Sequence, residues 1–279
     1  MNLLFVGDVV GRPGRDLVRV GLAPLVARYG VDLVIVNGEN AAGGNGITRE
    51  IGEGLLHAGA DVLTSGNHIW DKREVFDYIA VEPRLLRPAN YPDAPGRGSY
   101  VARTQGGRSV GVLNVMGRVH MATIDDPFRV AHREVQALRE RTSIIFVDFH
   151  AEATSEKIAM GWYLDGQVTA VVGTHTHVQT ADARVLPGGT AYLTDVGMTG
   201  PHDGVIGVEK GPVIQRFLTG LPARFETATG DPRLHAVLVD ADEATGRARG
   251  ITTLSLSLGD LQQLADEWPY DEKAGAERG

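Results

Sequence analysis

Short apolar runs, each closed by a small or polar residue, alternate with stretches of helical spacing over the first two thirds of the chain. The runs at 3–6, 33–36, 62–64, 143–149 and 168–172 are continuous rather than alternating, the pattern of strands buried on both faces. Between them, Leu17, Val18, Gly21, Leu22, Leu25 and Val26 recur at helical spacing and predict a helix over 15–29, with a kink or break at Pro24. Thr48 is placed to cap a helix reaching about position 57, and further helices are predicted over 73–79, 126–140 and 156–163. The stretches 99–103 and 109–115, joined through Gln105-Gly-Gly107, read as a hairpin. Later come an apolar stretch at 190–194, a short helix over 212–218, and two antiparallel strands, 234–240 and 251–257, around Thr245-Gly246.

Strand, helix, strand, helix in that order implies parallel pairing through right-handed crossovers. The C-terminal half is more antiparallel. Together they predict an α/β fold of two packed mixed sheets with helices outside. No repeat or linker divides the chain, so 1–268 is expected to be one domain, and the charged, Gly/Ala-rich 269–279 is expected to fray.

In such sheets ligands gather at the carboxyl ends of strands. Asp8, Glu39, Asn40, Asn67, His68 and His150 all fall at or just past predicted strand ends, and Gly173-Thr-His-Thr-His177 follows the run at 168–172. His175 and His177, at i and i+2 of an extended segment, would point the same way. Taken singly, each residue has an ordinary explanation. Asp8 could cap a helix, Asn37, Asn40 and Asn67 could close turns, and His150 could be a satisfied core histidine. Taken together, these explanations require every strand end on one face to carry a ligand-type residue by chance.

Composition narrows the chemistry. The chain has no cysteine, so a metal would bind through nitrogen and oxygen, which suits manganese, iron or zinc. The number of candidates exceeds the needs of one zinc site and predicts two metals, with Glu39 as the bridge. Two ions a few ångströms apart hold a bridging hydroxide and clamp a phosphoryl group. A net charge of -8 over 279 residues argues against a general nucleic-acid or anionic-membrane surface, while leaving room for a local anion site. The N-terminus lacks the basic and long apolar regions of a signal peptide, and no run reaches membrane-spanning length, so a cytoplasmic location is expected.

Gly7-Asp8, Gly66-Asn67-His68, His150 and Gly173-Thr-His-Thr-His177 resemble, in order, motifs of the calcineurin-like metallophosphoesterase superfamily. Val10 stands where that family usually has a histidine, and Glu39, within Asn37-Gly-Glu-Asn40, replaces the usual bridging aspartate. Both departures, with His150-Ala-Glu-Ala-Thr-Ser-Glu-Lys157 and Thr194-Asp-Val-Gly-Met-Thr-Gly200, resemble the YmdB-type branch over nearly the whole chain. The resemblance implies a four-layer α-β-β-α sandwich, iron or manganese, and phosphodiesterase activity on small cyclic nucleotides. The 2′,3′-cyclic ones are expected foremost, and 3′,5′-cyclic ones are the wider class. It also implies one metal on Asp8, Glu39, Asn40 and His177, a second on Glu39, Asn67, His150 and His175, and His68 as proton donor. Two other readings stand beside it: a phosphomonoesterase on the same scaffold, and a non-catalytic adaptor, which would be expected to lose ligands. A homo-oligomer is left open. Glu152, Thr154, Ser155 and Lys157 could line the substrate pocket or simply begin a capped helix.

Overall fold

A computed structural model describes residues 1–267; Trp268 and the expected frayed end lie outside the described residues. The N-terminal part runs β1 (Asn2–Val6), β2 (Asp8–Val9), α1 (Gly11–Tyr29), β3 (Val31–Asn37), α2 (Arg49–His57), β4 (Val62–Thr64) and α3 (Val75–Val81). The middle comprises β5 (Ser99–Arg103), β6 (Ser109–Met116), α4 (Pro127–Arg139), β7 (Ile145–His150), α5 (Thr154–Leu164) and β8 (Ala170–Thr174). The rest is β9 (Arg184–Val185), β10 (Ala191–Leu193), β11 (Met198–Pro201), α6 (Lys210–Thr219), β12 (Pro232–Ala241), β13 (Ala248–Ser257) and α7 (Leu258–Glu267).

These strands form two mixed sheets. The first has the order β2-β11-β12-β1-β3-β4, with β13 also paired to β12; the second has the order β5-β6-β7-β8-β10-β9. β1, β3 and β4 run parallel, as do β6, β7, β8 and β10. Strand alternation then divides the apolar runs between layers. Leu3, Phe5, Leu33 and Ile35 face the second sheet and pack with Val110, Val112, Phe146 and Val172. Leu4, Val6, Val34 and Val36 face the other way, with Leu17, Leu22 and Leu25 of α1, Leu55 of α2, Tyr78 of α3 and Leu261 of α7. Leu113, Ile145, Val147 and Phe149 pack with Val135 and Leu138 of α4 and with Met160 and Leu164 of α5. The expected helix-sheet-sheet-helix sandwich is therefore the observed one. No helix among the described residues is long and apolar enough to cross a membrane.

Three local expectations are corrected. α1 begins at Gly11 and runs unbroken through Pro24. An internal proline costs about 3 kcal/mol, but burial of a leucine or valine returns roughly 1.5–3 kcal/mol each, and α1 buries Leu17, Val18, Leu22, Leu25 and Val26. Asp8 does not cap it, since the N-cap is Val10 and no side chain bonds there. Helix α7 was not among the predicted elements, although Leu258, Leu261 and Leu264 recur at helical spacing and its start carries a readable signal. Ser257 and Asp260 cap one another: the Asp260 carboxylate accepts from the Ser257 backbone N–H and hydroxyl, each at 2.7 Å, and the Ser257 oxygen accepts from the Asp260 N–H at 3.2 Å. The third correction is that α3 starts two residues later than expected, at Val75.

The inter-sheet core centres on Phe5 and Phe146, whose rings stack at 5.3 Å with planes 13° apart. Phe5→Ala is expected to destabilise the protein by about 3–5 kcal/mol in denaturant unfolding. Phe217→Ala, at a side chain 84% exposed, should stay within about 0.5 kcal/mol of the parent. Equal effects would contradict this assignment of the core.

Candidate metal centre

The candidate residues converge where the carboxyl ends of the two sheets meet. Asp8 opens β2 directly after Gly7, and a side chain at Gly7 would place its Cβ 2.0 Å from the Gly197 carbonyl oxygen. Glu39 and Asn40 occupy the turn after β3, where Asn37 Oδ1 accepts from the Glu39 N–H at 3.1 Å. Asn67 and His68 begin a single 3-10 turn, Asn67–Trp70, after β4. His150 ends β7, and its ring lies against Gly66, where a Cβ would come within 2.2 Å of Nε2. His175 and His177 follow β8 with φ of 97° and 64°, in the left-handed region that L residues rarely adopt.

Those positive φ values change the expected arrangement of the histidine pair. The two rings do not share one face of an extended segment. His175 turns toward His150, with Nδ1 3.0 Å from His150 Nε2, and His177 turns toward Asn40, with Nε2 3.2 Å from the amide. The residue types were legible, but the backbone that separates them was not.

Asp8, Glu39 and His150 are fully buried, and each presents a ligand atom within 4.8 Å of the others. His150 Nε2 lies 2.8 Å from Glu39 Oε2, 3.1 Å from Asn67 Oδ1 and 3.0 Å from His175 Nδ1. Asp8 Oδ1 is buried without a hydrogen-bond partner, and Glu39 Oε2 has only the His150 ring beside it. Groups behind the rings decide which nitrogen faces inward. Thr174 donates its hydroxyl hydrogen to Asp148 at 2.7 Å, so its oxygen accepts from His150 Nδ1–H at 2.9 Å. His175 Nε2 lies 3.0 Å from the Glu152 carboxylate, and His177 Nδ1 donates to the Ile206 carbonyl at 3.0 Å. Each imidazole therefore turns its other nitrogen toward the cluster, the usual way metal-ligating histidines are oriented. Ligand-type atoms of Glu39, Asn67, His150 and His175 meeting at such distances, beside the unbonded buried Asp8 Oδ1, fit a cation. Asn40 and His177 lie beside one another, Asn40 Nδ2 3.2 Å from His177 Nε2.

His68 stays out of the cluster. Its ring is 40% exposed, Nδ1 lies 2.8 Å from Asp71 Oδ2, and its backbone N–H donates to Glu39 Oε1 at 2.8 Å. The reason is the 3-10 turn and the Asp71 carboxylate, not the alternation of an extended segment.

The charges respond to one another. Burial pushes the Asp8 carboxyl up, against the pull of His177 and His150. Burial acts the same way on Glu39, but the charge of His150 and the His68 N–H outweigh it and hold Glu39 at about 2. For His150, burial favours the neutral ring, yet Glu39 and Asp8 raise it to about 9. His175 is lowered to about 3 by burial and by the charge of His150. Without metal, His150 carries the cluster's positive charge and directs a proton at Glu39.

Two residues at the site escaped the sequence reading, and a third was named there without a settled role. Asp148 receives bonds from Thr64, Thr174 and Asn37; Asp71 holds His68; and Glu152, whose role was open, holds His175. Asp148 had a signal, a charged residue inside the buried run Ile145-Phe-Val-Asp-Phe149. Asp71 lies in a polar stretch where nothing marks it, and the motif containing Glu152 did not say what that carboxylate would hold.

Two mixed sheets in a four-layer sandwich, with carboxylate, amide and imidazole groups gathered at their joined strand ends, define a metallophosphoesterase fold. The profile of the YmdB-like protein family matches residues 4–254, and the chain belongs to that family. It is 51% identical over 249 residues, 89% of this chain and 94% of the relative, to a 2′,3′-cyclic-nucleotide 2′-phosphodiesterase of Bacillus subtilis. A crystal structure of a hypothetical protein from Thermus thermophilus superposes with a TM-score of 0.86 at 44% identity, covering 92% of this chain and 99% of the other. A crystal structure of a phosphatase from Mycoplasma pneumoniae gives a TM-score of 0.86 at 33% identity, covering 96% and 98%.

Metal uptake should be coupled to proton loss. Since His150 is held at about 9 in the metal-free protein, an ion entering at pH 7 displaces its proton. Apparent Mn²⁺ affinity is expected to fall roughly tenfold per pH unit from about pH 9 to about pH 7. Calorimetric titrations in two buffers of different ionisation enthalpy should show the released proton. Affinity that is flat over this range would contradict a protonated His150.

Proposed function

We propose that this chain is a metal-dependent phosphodiesterase that hydrolyses cyclic nucleotides, 2′,3′-cyclic ones foremost and 3′,5′-cyclic ones as the wider class. The observation that supports this reading is the convergence of Glu39, Asn67, His150 and His175 beside the unbonded, buried Asp8 Oδ1. The relative described as a 2′,3′-cyclic-nucleotide 2′-phosphodiesterase supports the substrate class. Asp8, Glu39, Asn40 and His177 would hold one ion, and Glu39, Asn67, His150 and His175 a second, with iron or manganese matching the donor set. Bound there, such ions supply Lewis acidity toward phosphoryl oxygens and acidify water.

The chain's own contribution is orientation and a proton. Glu152, Thr174 and the Ile206 carbonyl fix the histidine rings. Asp71 holds His68 through Nδ1 and leaves Nε2 free to carry the proton that a leaving group would take. His68 is the group suited to protonate the leaving ribose oxygen as the P–O bond breaks, after which its neutral ring regains a proton from water. The adaptor reading loses ground on one point. Val10 stands where a ligand is missing, but the Asn40 amide lies beside His177, its Nδ2 3.2 Å from Nε2, and would turn its oxygen to an ion in that place.

The test is a panel of 2′,3′- and 3′,5′-cyclic nucleotides, bis-nitrophenyl phosphate and phosphomonoesters, run on metal-replete protein. Cleavage of diesters ahead of monoesters is expected; no diester cleavage at all would favour the adaptor. His68→Ala should keep its metal and lose roughly 10²–10⁴ in turnover on nucleotides, and less on nitrophenyl diesters, whose leaving group needs little protonation. Equal losses on both substrates would remove His68 from the proton-donor role.

A further inference from the structure

Two motifs remain without a role in this chemistry, and the fold brings them together. Lys157, on α5, is 1% exposed, and its Nζ lies 2.6 Å from Asp195 Oδ2, itself fully buried. The same Asp195 oxygen accepts from the Thr176 backbone N–H at 3.2 Å and from the Thr176 hydroxyl at 2.6 Å. Its other oxygen accepts from the Gly197 N–H at 2.8 Å. Thr176 is the residue between His175 and His177, the two positions of positive φ. Such backbone persists only where its surroundings over-determine it, and Asp195 supplies that restraint through both of its bonds to Thr176.

The segment 194–200 also reaches the other sheet. Val196 N–H donates to the Gly173 carbonyl at 2.9 Å, and Met198 pairs in register with Asp8. Gly173 lies so close to this segment that a Cβ there would meet the Thr194 carbonyl oxygen at 1.8 Å and Lys157 Cδ at 2.8 Å. One stretch of chain thus touches the candidate ligands of both sheets, and Asp195 sits at its pivot. The Lys157 Nζ lies against the same Asp195 oxygen that holds Thr176, so the ion pair fixes where that oxygen sits.

We propose that Lys157 and Asp195 are a positioning pair for the metal centre: through Thr176 they fix the backbone that aims His175 at one half of the cluster and His177 at the other. This rests on the metal reading above. Neither residue touches a substrate or an ion; they act through the loop.

The experiment is Mn²⁺ titration of the full chain, stripped of metal, with circular dichroism and thermal melting on each variant. Asp195→Asn and Thr176→Val, measured well below their melting temperatures, are expected to bind Mn²⁺ roughly 10–100-fold more weakly than the parent. Thr176→Ser keeps the hydroxyl and should bind within about twofold of the parent, a rescue that a general loss of stability does not give. Thr176→Val leaves the ion pair intact, so it decides the matter if Lys157→Met or Asp195→Asn does not fold. Folded variants that melt lower but bind Mn²⁺ as the parent does overturn the positioning role and leave the metal reading standing. A parent chain that takes up no Mn²⁺ overturns both.

Discussion

The interaction on which the rest depends is the set of hydrogen bonds converging on the buried carboxylate of Asp148. It accepts from Asn37 Nδ2 at 3.0 Å, from the Thr64 hydroxyl at 2.5 Å and from the Thr174 hydroxyl at 2.7 Å. Asn37 ends β3, Thr64 ends β4 and Thr174 ends β8, so one side chain on β7 ties two strands of the first sheet to two of the second. Burial raises the Asp148 carboxyl to about 7, against the pull of His150 and the two hydroxyls. Apolar packing between sheets is non-directional and would tolerate a slip of one sheet over the other. Directed bonds to one carboxylate do not. Every donor lies within three residues of a candidate ligand, so the relative position of the sheets and the geometry of the centre are fixed at the same place.

Much of this was legible in the chain, for physical reasons. Apolar runs closed by Gly-Asp, Asn-Gly-Glu-Asn or Gly-Thr-His-Thr-His mark where strands end and polar groups begin, and in parallel sheets those ends lie together. The runs could not say which face each residue took, because a strand buried on both sides shows no alternation. Only the structure separates Leu3 and Phe5 from Leu4 and Val6. The two-residue β2 and four-residue β11 are too short to carry a periodic signal. The partition of the histidines was hidden in backbone dihedrals that no residue type announces. Asp71, Glu152 and Asp195 acquire meaning only from what the fold places beside them.

The centre is also a problem in electrostatics. Two carboxylates, both fully buried, would repel and shed their charge if nothing opposed them. His150 opposes them, 2.8 Å from one and 3.9 Å from the other. The two carboxylates in turn hold the His150 ring well above its ordinary range, so the imidazole and the carboxylates offset one another's burial.

The place of β1 has a consequence for synthesis on the ribosome. β1 lies between β3, which follows it closely in the chain, and β12, whose register pairs Asn2 with Asp240 and Val6 with Ala236. The N-terminal amine itself donates to the Ala241 carbonyl at 3.0 Å. As the chain emerges, β1, β3 and β4 can associate, but one flank of β1 stays open until almost the whole described sequence has been translated. The second sheet, whose strands lie between 99 and 193, is complete long before that. Among the strands described, β1 is therefore made first and flanked on both sides only after β12 is made.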